Sequence, residues 1–372
     1  MTMGLEIKVY IEPRDIFNSR IEHFEKKVSF SEVTKTWDSN DSSIDKLALL
    51  KANQICIIST EDCSGLNSHV LENFDSLVRI LEESQIEKVL INNPPLFLLN
   101  KIKLFSEKIP IEKHQYKKVT ENKIKQINKH FDEKIIGQKK AKKIICRKLL
   151  AQLIRPSKKP LVLMFYGNPG IGKTETAKYI SKMLYGNDNI VREQMTMVGG
   201  EASVKYYKAT THNEDSFSKK LLNRFSNVIL LDEFALAPEF FHTTFFQMFD
   251  EGEYVDQNFN VDVSNSIIIC TSNLLSIRDM ESSINPALLS RFDGFIEFGD
   301  FTIEEKKIIA NKVYLEITAS KNMRKKYRDR IDRTKILADF SKEIHSFSNM
   351  RTIRRFIEDS ISNHLLEDII EK

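Results

Sequence analysis

The sequence predicts an α/β fold in which parallel strands alternate with helices. Uninterrupted apolar runs at residues 161–166, 228–231 and 267–270 are typical of strands buried on both faces of a parallel sheet. Segments with apolar residues at helical spacing lie between these runs. A glycine-rich segment, 167–174, joins the first run to a helix expected at 175–184, which is the strand–loop–helix order of a phosphate-binding unit.

Three domains are expected along the 372 residues. Residues 1–119 alternate short strands and helices, which predicts a small α/β domain, and its position alone suggests docking or client selection. Residues 120–301 carry the chemical motifs and form the expected large nucleotide-binding subdomain. Residues 302–372 are mostly helical and begin with Thr302 and Glu305 at capping-box spacing.

The composition is that of a globular protein without a membrane span. The net charge is +4, hydrophobic residues make up 41% of the chain, and no apolar run approaches the ~18 residues that cross a bilayer. The four scattered cysteines lack metal-ligand spacing, which favours free thiols and a cytoplasmic location. A lysine-rich stretch at 113–148 is interpreted as a solvated linker and helix face, or as a contact for nucleic acid or a membrane surface, the first being favoured.

One segment matches the phosphate-loop pattern G-x-x-x-x-G-K-[ST] in full. It comprises Gly167, Asn168, Pro169, Gly170, Ile171, Gly172, Lys173 and Thr174. Its glycines let backbone N–H groups turn toward phosphates, and the following helix adds positive charge at its N-terminus. We therefore expect ATP and Mg²⁺ as cofactors, with Lys173 on the outer phosphates and the Thr174 hydroxyl on the metal.

Two further strand ends carry polar side chains. An apolar strand ends in Asp232 and Glu233, and the expected roles are metal binding for Asp232 and activation of the attacking water for Glu233. The run at 267–270 leads to Asn273, which is expected to bind the water or the γ-phosphate. An ordinary strand-terminating asparagine is the alternative interpretation of Asn273.

Taken in this order, the motifs resemble those of AAA+ ATPases, and more closely the Clp-type unfoldase and disaggregase branch, over residues 131–357. The matching segments are Ile-Ile-Gly-Gln at 135–138, Gly-Lys-Thr-Glu at 172–175, Leu-Asp-Glu-Phe-Ala-Leu-Ala-Pro-Glu at 231–239, Phe-Asp-Glu-Gly-Glu-Tyr-Val-Asp at 249–256, Asn-Pro-Ala-Leu-Leu-Ser-Arg-Phe at 285–292 and Asn-Met-Arg-Thr-Ile-Arg-Arg at 349–355.

The resemblance implies an AAA+ P-loop sheet, a C-terminal helical lid and a ring homo-oligomer, expected to be a hexamer. It places Ile135 and Ile136 beside the adenine and Glu175 at the end of the phosphate loop. It makes Arg291 the arginine finger that acts on the ATP of a neighbouring subunit. Arg351 becomes the phosphate-sensing arginine of the lid. Because Asn349-Met350 replaces the usual Gly-Ala there, Arg354 and Arg355 stay open as substitutes.

The chain departs from that branch where an aromatic loop grips polypeptide. The corresponding stretch, 198–210, contains Tyr206 and Tyr207 between two lysines. Gripping of polypeptide, stacking on nucleic-acid bases and a surface loop without a ligand all remain open. A single phosphate loop predicts a single ring, and no peptidase-docking loop is recognised.

Three functions are therefore weighed. The favoured one is an ATP-hydrolysing remodeller or unfoldase of protein clients without a peptidase partner. The second is a nucleic-acid-directed ATPase, such as a loader or a transposition or defence-system motor. The third is a regulatory ATPase whose nucleotide state signals to an effector protein.

Overall fold

The computed structural model describes residues 5–38, 46–65, 73–105, 109–197, 199–210 and 213–370. The chain forms two compact units. The first unit comprises Met1–Lys117, Val198–Asn227 and Thr243–Ser266, and the second comprises Lys118–Met197, Val228–His242 and Ile267–Lys372. The first unit thus includes two segments from within the expected nucleotide-binding subdomain. The three-domain division at 1–119, 120–301 and 302–372 stays a prediction.

Strands occur in both units. In chain order they are β1 (Glu6–Ile11), β2 (Lys27–Ser29), β3 (Ile55–Ile58), β4 (Lys88–Asn92), β5 (Ile111–Lys113), β6 (Leu161–Tyr166), β7 (Val191–Gln194), β8 (Val228–Asp232), β9 (Glu253–Val255), β10 (Asn260–Asp262), β11 (Ile267–Ser272) and β12 (Gly294–Glu297).

The α-helices connect these strands and form the C-terminal region. They are α1 (Arg14–Ile21), α2 (Phe30–Asp38), α3 (Lys46–Lys51), α4 (Thr60–Gly65), α5 (Phe74–Glu82), α6 (Leu96–Phe105), α7 (Glu121–Lys134), α8 (Lys139–Ile154), α9 (Lys173–Tyr185), α10 (Gly200–Lys208), α11 (Phe217–Leu222), α12 (Glu239–His242), α13 (Phe246–Asp250), α14 (Ile277–Ser283), α15 (Pro286–Leu289), α16 (Ile303–Ala319), α17 (Lys325–Arg328), α18 (Arg333–Lys342) and α19 (Met350–Ile370).

The first unit is built on a parallel sheet with the strand order β2-β3-β4-β1-β5. Successive strand residues point to opposite faces, so Val9 and Tyr10 of β1 enter two different cores. One core includes residues of α2 to α6, such as Phe30 and Phe74, and the other includes Phe17 of α1. This confirms the small α/β domain expected at the N-terminus.

The aromatic segment of the first unit packs inward. Tyr207 of α10 is only 3% exposed, and its ring contacts Phe217 and Phe245 at centroid distances of 5.5 and 5.9 Å. Its carbonyl oxygen accepts a hydrogen bond from the Tyr254 hydroxyl at 2.5 Å. Tyr207 is therefore a core residue, and its interpretation as a gripping or base-stacking side chain is wrong for this structure. Tyr206 is half-buried and packs edge-on against Tyr207.

The second unit is built on a parallel sheet with the order β12-β6-β11-β8-β7. Every residue of β6, β8 and β11 is buried, which explains their uninterrupted apolar runs. Because β11 pairs with β6 on one side and β8 on the other, the carboxyl ends of these three strands are neighbours.

The C-terminal region of the second unit is helical, as expected. The Thr302–Glu305 capping box at the start of α16 is present, with both reciprocal hydrogen bonds formed. Ile309 of α16 and Ile353 of α19 lie in one core cluster with Phe131 of α7 and Leu163 of β6. The predicted α/β fold, a parallel nucleotide-type sheet followed by a helical lid, is thereby confirmed.

Candidate nucleotide-binding site

The phosphate loop between β6 and α9 bends through three glycines with positive φ. The φ angles are 126° at Gly167, 73° at Gly170 and 105° at Gly172, a region that side chains with a Cβ rarely adopt. A Cβ on Gly167 would also clash with the carbonyl oxygen of Phe298. The loop therefore leads directly into the N-terminus of α9, where backbone N–H groups are available to an anion.

Lys173 lies inside this loop and is only 7% exposed. Its ammonium group donates hydrogen bonds to the carbonyl oxygens of Gly167 at 2.6 Å and Asn168 at 2.8 Å, and to Oδ1 of Asn273 at 3.0 Å. Burial lowers the pKa of Lys173 to about 8, against the opposing effect of the Asp232 and Glu233 carboxylates. The charge of Lys173 therefore interacts with the charges of both predicted carboxylates.

Asn273 bridges the phosphate loop and Glu233. While its Oδ1 accepts from Lys173, its Nδ2 donates to Oε1 of Glu233 at 3.3 Å. Asn273 directly follows β11, the strand between the loop-bearing β6 and the carboxylate-bearing β8. The strand order therefore brings together the three side chains that the sequence assigned to one site.

Glu233 has an unusual backbone conformation. Its φ and ψ are 57° and 41°, in the left-handed region, which costs a residue other than glycine about 1–3 kcal/mol. Its N–H donates to the Thr271 hydroxyl at 2.8 Å. The next residues form a short 3-10 helix, Phe234–Leu236. Backbone strain of this kind is a feature of functional sites.

His242 packs against that short 3-10 helix. It is buried, its ring stacks on Phe234 at 5.0 Å, and its Nε2 lies 3.2 Å from the carbonyl oxygen of Phe234, which accepts the hydrogen bond. Burial lowers the pKa of His242 and favours the neutral ring. The ring stacking and the hydrogen bond of His242 therefore both help to fix Phe234, the residue after Glu233.

Asp232 is 6% exposed, and both of its oxygens have partners. The Thr271 hydroxyl donates to Oδ1 at 2.5 Å. The Arg192 guanidinium donates to Oδ2 through Nε at 3.0 Å and Nη2 at 2.5 Å. Neither partner belongs to one of the sequence motifs. Thr271 stands two residues before Asn273 at a strand end, which is a detectable pattern, whereas Arg192 reaches Asp232 only through the pairing of β7 with β8.

The segment 135–138, which joins α7 to α8, contacts the phosphate loop. Ile135 is buried, and its Cγ2 would lie 3.8 Å from a Cβ on Gly172. Ile136 is half-buried and packs against the same core. Gln138 donates to the carbonyl oxygens of Ile171 at 3.3 Å and Gly299 at 2.9 Å. Contact of Ile135 and Ile136 with an adenine stays a prediction.

The lid touches the phosphate loop where the sequence departs from the family pattern. The Met350 N–H donates to the carbonyl oxygen of Gly170 at 3.0 Å. Oδ1 of Asn349 accepts from the N–H groups of Arg351 and Thr352, each at 3.0 Å, and so caps α19. Asn349 and Met350 therefore serve this contact in place of the usual Gly-Ala.

Arg351 is distinguished from its neighbours by its surroundings. It follows directly on Asn349 and Met350, which hold the start of α19 against the phosphate loop, and its charge adds to burial in lowering the pKa of Lys173. Arg354 pairs instead with Glu316 at 2.6 Å, and Arg355 lies 3.8 Å from Asp359. These pairs favour Arg351 as the lid arginine that faces the phosphates, although that role stays a prediction.

Arg291 follows α15 and is half-buried. Its Nη1 donates to the carbonyl oxygen of Ala287 at 2.5 Å. Asn285 caps α15 through the Ala287 N–H and donates to Glu239 at 3.0 Å. The segment that carries Arg291 is therefore held in place, and the action of Arg291 on a neighbouring subunit stays a prediction.

The remaining loop residues fit a phosphate with its metal. Thr174 is half-buried in the first turn of α9, and Glu175 is exposed and pairs with Lys178 at 3.3 Å. Asn168 donates to Asp300 at 2.7 Å, and Ile171 is buried beneath the loop while Pro169 is exposed. The Thr174 hydroxyl and the Asp232 carboxylate are the hard oxygen donors that Mg²⁺ prefers.

No resident metal cluster is found in the described ranges, which contain no group of three or more His, Cys, Asp or Glu arranged to hold an ion. Mg²⁺ typically binds through one or two protein oxygens together with substrate phosphates. Thr174 and Asp232 therefore suit an ion that arrives with a nucleotide.

In the part of the chain that the structure describes, no helix is both long and apolar enough to cross a membrane.

Comparisons with known proteins agree with this geometry. The family model "AAA domain (Cdc48 subfamily)" matches residues 158–334. The chaperone protein ClpB of Malacoplasma penetrans (strain HF-2) is 26% identical over 294 residues, which cover 71% of this chain and 40% of ClpB. The ATP-dependent Clp protease ATP-binding subunit ClpL of Staphylococcus aureus (strain USA300) is 30% identical over 198 residues, 47% of this chain and 28% of ClpL.

A solved structure shares the fold. The closed-state cryo-EM reconstruction of Hsp104 with ATPyS and FITC casein has a TM-score of 0.56 and 17% sequence identity, covering 91% of this chain and 65% of that chain. The present chain spans less than half the length of the two curated relatives.

Thr271→Val tests the part of the site that the sequence did not reveal. The isosteric change removes the hydroxyl that serves both Asp232 and the Glu233 N–H, and leaving such groups unpaired costs about 1–3 kcal/mol. We expect ATP turnover to fall by about tenfold or more, while nucleotide affinity changes less. Thr271→Ser, which keeps the hydroxyl, is the matched control. Unchanged turnover in Thr271→Val would show that the hydroxyl is dispensable.

Proposed function

Because the chain carries an AAA+ ATPase domain of the Clp type, we propose that it is an ATP-driven remodeller of protein clients. It would act as a ring of identical subunits, expected to be a hexamer, without a peptidase partner. The observation that carries the proposal is the hydrogen-bonded chain from Lys173 through Asn273 to Glu233. The relatives named ClpB and ClpL support the choice of protein clients.

Each site residue has a defined task in this proposal. When bound, ATP with Mg²⁺ supplies the phosphoanhydride bond whose cleavage drives the cycle. Lys173 and the N–H groups of the loop would bind the phosphates, and Thr174 and Asp232 would hold the metal. Glu233 would orient a water molecule and accept its proton. Its carboxylate lies just beyond the carboxyl end of β8, where it accepts a hydrogen bond from Asn273.

Asn273 positions the Glu233 carboxylate relative to Lys173. Its amide oxygen accepts from the ammonium group and its amide nitrogen donates to the carboxylate, so one side chain links the two charged groups by hydrogen bonds. Arg351 approaches the phosphates from the lid of the same chain. Arg291 would complete the site of a neighbouring subunit, where a guanidinium neutralises charge that develops on the transferred phosphoryl group.

A regulatory ATPase that signals to an effector is the second candidate function. It is favoured by the burial of Tyr207, which leaves that aromatic side chain unavailable for gripping a polypeptide. The same burial weakens the nucleic-acid alternative, which depended partly on base stacking at this position.

A cytoplasmic location is proposed as well, supported by the four free cysteines, of which Cys56, Cys63 and Cys270 are buried.

Stimulation of ATP hydrolysis separates these functions. We expect casein, an unfolded polypeptide, to raise the steady-state rate of the wild-type chain, and single-stranded DNA to leave it unchanged. Glu233→Gln is the control, because it keeps the shape of the side chain and loses the base, so it should bind ATP with almost no turnover. Stimulation by DNA alone would overturn the protein-client proposal, and stimulation by neither would favour the regulatory function.

Mixed rings test the proposed action of Arg291 between subunits. Arg291→Ala and Glu233→Gln should each be nearly inactive alone, but a mixture should recover part of the wild-type rate, because Glu233 of one chain meets Arg291 of its neighbour. Arg278→Ala, which alters an exposed arginine on α14, is the matched control and should behave as wild type. A mixture no more active than its separate components would argue against an inter-subunit site.

A further inference from the structure

Arg192 is linked to the metal-binding carboxylate by the sheet itself. It lies on the edge strand β7, where it is in register with Leu230 of β8, two residues before Asp232. Its guanidinium directs Nε and Nη2 to one oxygen of Asp232, at 3.0 and 2.5 Å. The Arg192 side chain is 49% exposed, whereas that of Asp232 is 9% exposed. A half-exposed cation thus neutralises a buried anion.

Both Asp232 oxygens are satisfied by protein groups alone. The Thr271 hydroxyl donates to Oδ1, and Arg192 donates to Oδ2. A buried carboxylate needs such partners, because an unpaired charge in a poorly solvated place is costly. Oδ2 accepts two N–H groups of Arg192, whereas Oδ1 accepts one hydrogen bond from Thr271. A Mg²⁺ ion, or a water molecule bound to it, that used Oδ2 would have to replace the guanidinium there. Arg192 and the metal therefore compete for this oxygen of Asp232.

We propose that Arg192 sets the Mg²⁺ requirement of nucleotide binding by holding Oδ2 of Asp232 until the metal displaces it. This inference rests on the proposed function, since it assumes that the site binds a magnesium nucleotide. Without metal, the guanidinium cancels the charge of Asp232 and lets phosphates approach the loop. With metal, the guanidinium must leave Oδ2, and its exposed position and its contact with Gln194 at 3.3 Å give it a place to turn.

A purely structural tie between β7 and β8 would behave differently. The two strands already share a parallel backbone ladder from Val191 to Gln194. Loss of a structural tie would lower stability and weaken nucleotide binding equally with and without metal. Loss of a competitor for Asp232 would instead weaken nucleotide binding without metal and lower the Mg²⁺ concentration needed for half-maximal enhancement of binding.

The test is equilibrium binding of a fluorescent ATP analogue, measured in EDTA and over a Mg²⁺ titration. We expect Arg192→Gln to bind the analogue about three- to tenfold more weakly in EDTA, because the unpaired Asp232 charge repels phosphate. The same variant should need about three- to tenfold less Mg²⁺ for half-maximal enhancement of binding. Arg192→Lys, which keeps the charge, should stay closer to wild type. Arg333→Gln on α18, whose guanidinium contacts Asn311, is the matched control.

A double variant identifies Asp232 as the shared partner. In an Asp232→Asn background, Arg192→Gln should no longer alter the Mg²⁺ midpoint, because no carboxylate remains to compete for. An unchanged or higher midpoint in Arg192→Gln alone would overturn the inference. A wild-type chain that binds no nucleotide under any condition would instead contradict the proposed function. Thermal unfolding of each variant shows whether a change in binding comes from lost structure.

Discussion

The site depends on one buried ammonium group. Lys173 is almost fully enclosed, so its charge must be satisfied by nearby oxygens, and the loop carbonyls of Gly167 and Asn168 supply two of them. Asn273, which directly follows β11, supplies the third. This one contact joins the phosphate loop to the end of β11. Because β11 lies between β6 and β8, Asn273 is close enough to contact both Lys173 and Glu233.

The two adjacent carboxylates are directed into different surroundings by their backbone. Asp232 ends a regular strand and points to Thr271 and Arg192, which gives it the partners that a buried anion needs. Glu233 turns into the left-handed region, and its side chain meets Asn273 instead. The strain of that turn is offset by the Thr271 hydroxyl and by the packing of His242 on Phe234. Two neighbours in sequence thus serve metal binding and water activation separately.

Local patterns predicted the elements of the site but not their partners. Apolar runs located β6, β8 and β11, and the phosphate-loop pattern located Lys173, because such signals are contained within a few consecutive residues. Arg192 escaped detection because its partner is 40 residues away and is set by strand register. The local pattern left the role of Tyr207 open, because its burial depends on packing against Phe217 and Phe245, which belong to other elements of the first unit.

Lys173 is expected to bind the phosphates of a nucleotide between the loop and the neighbouring strand ends. Equilibrium titration of Lys173→Ala with a fluorescent ATP analogue in saturating Mg²⁺ tests this most directly, with circular dichroism to show that the variant is folded. We expect saturable binding by the wild-type chain and a loss of affinity of about tenfold or more in the folded variant. Equal affinity of the two proteins for the analogue would contradict it.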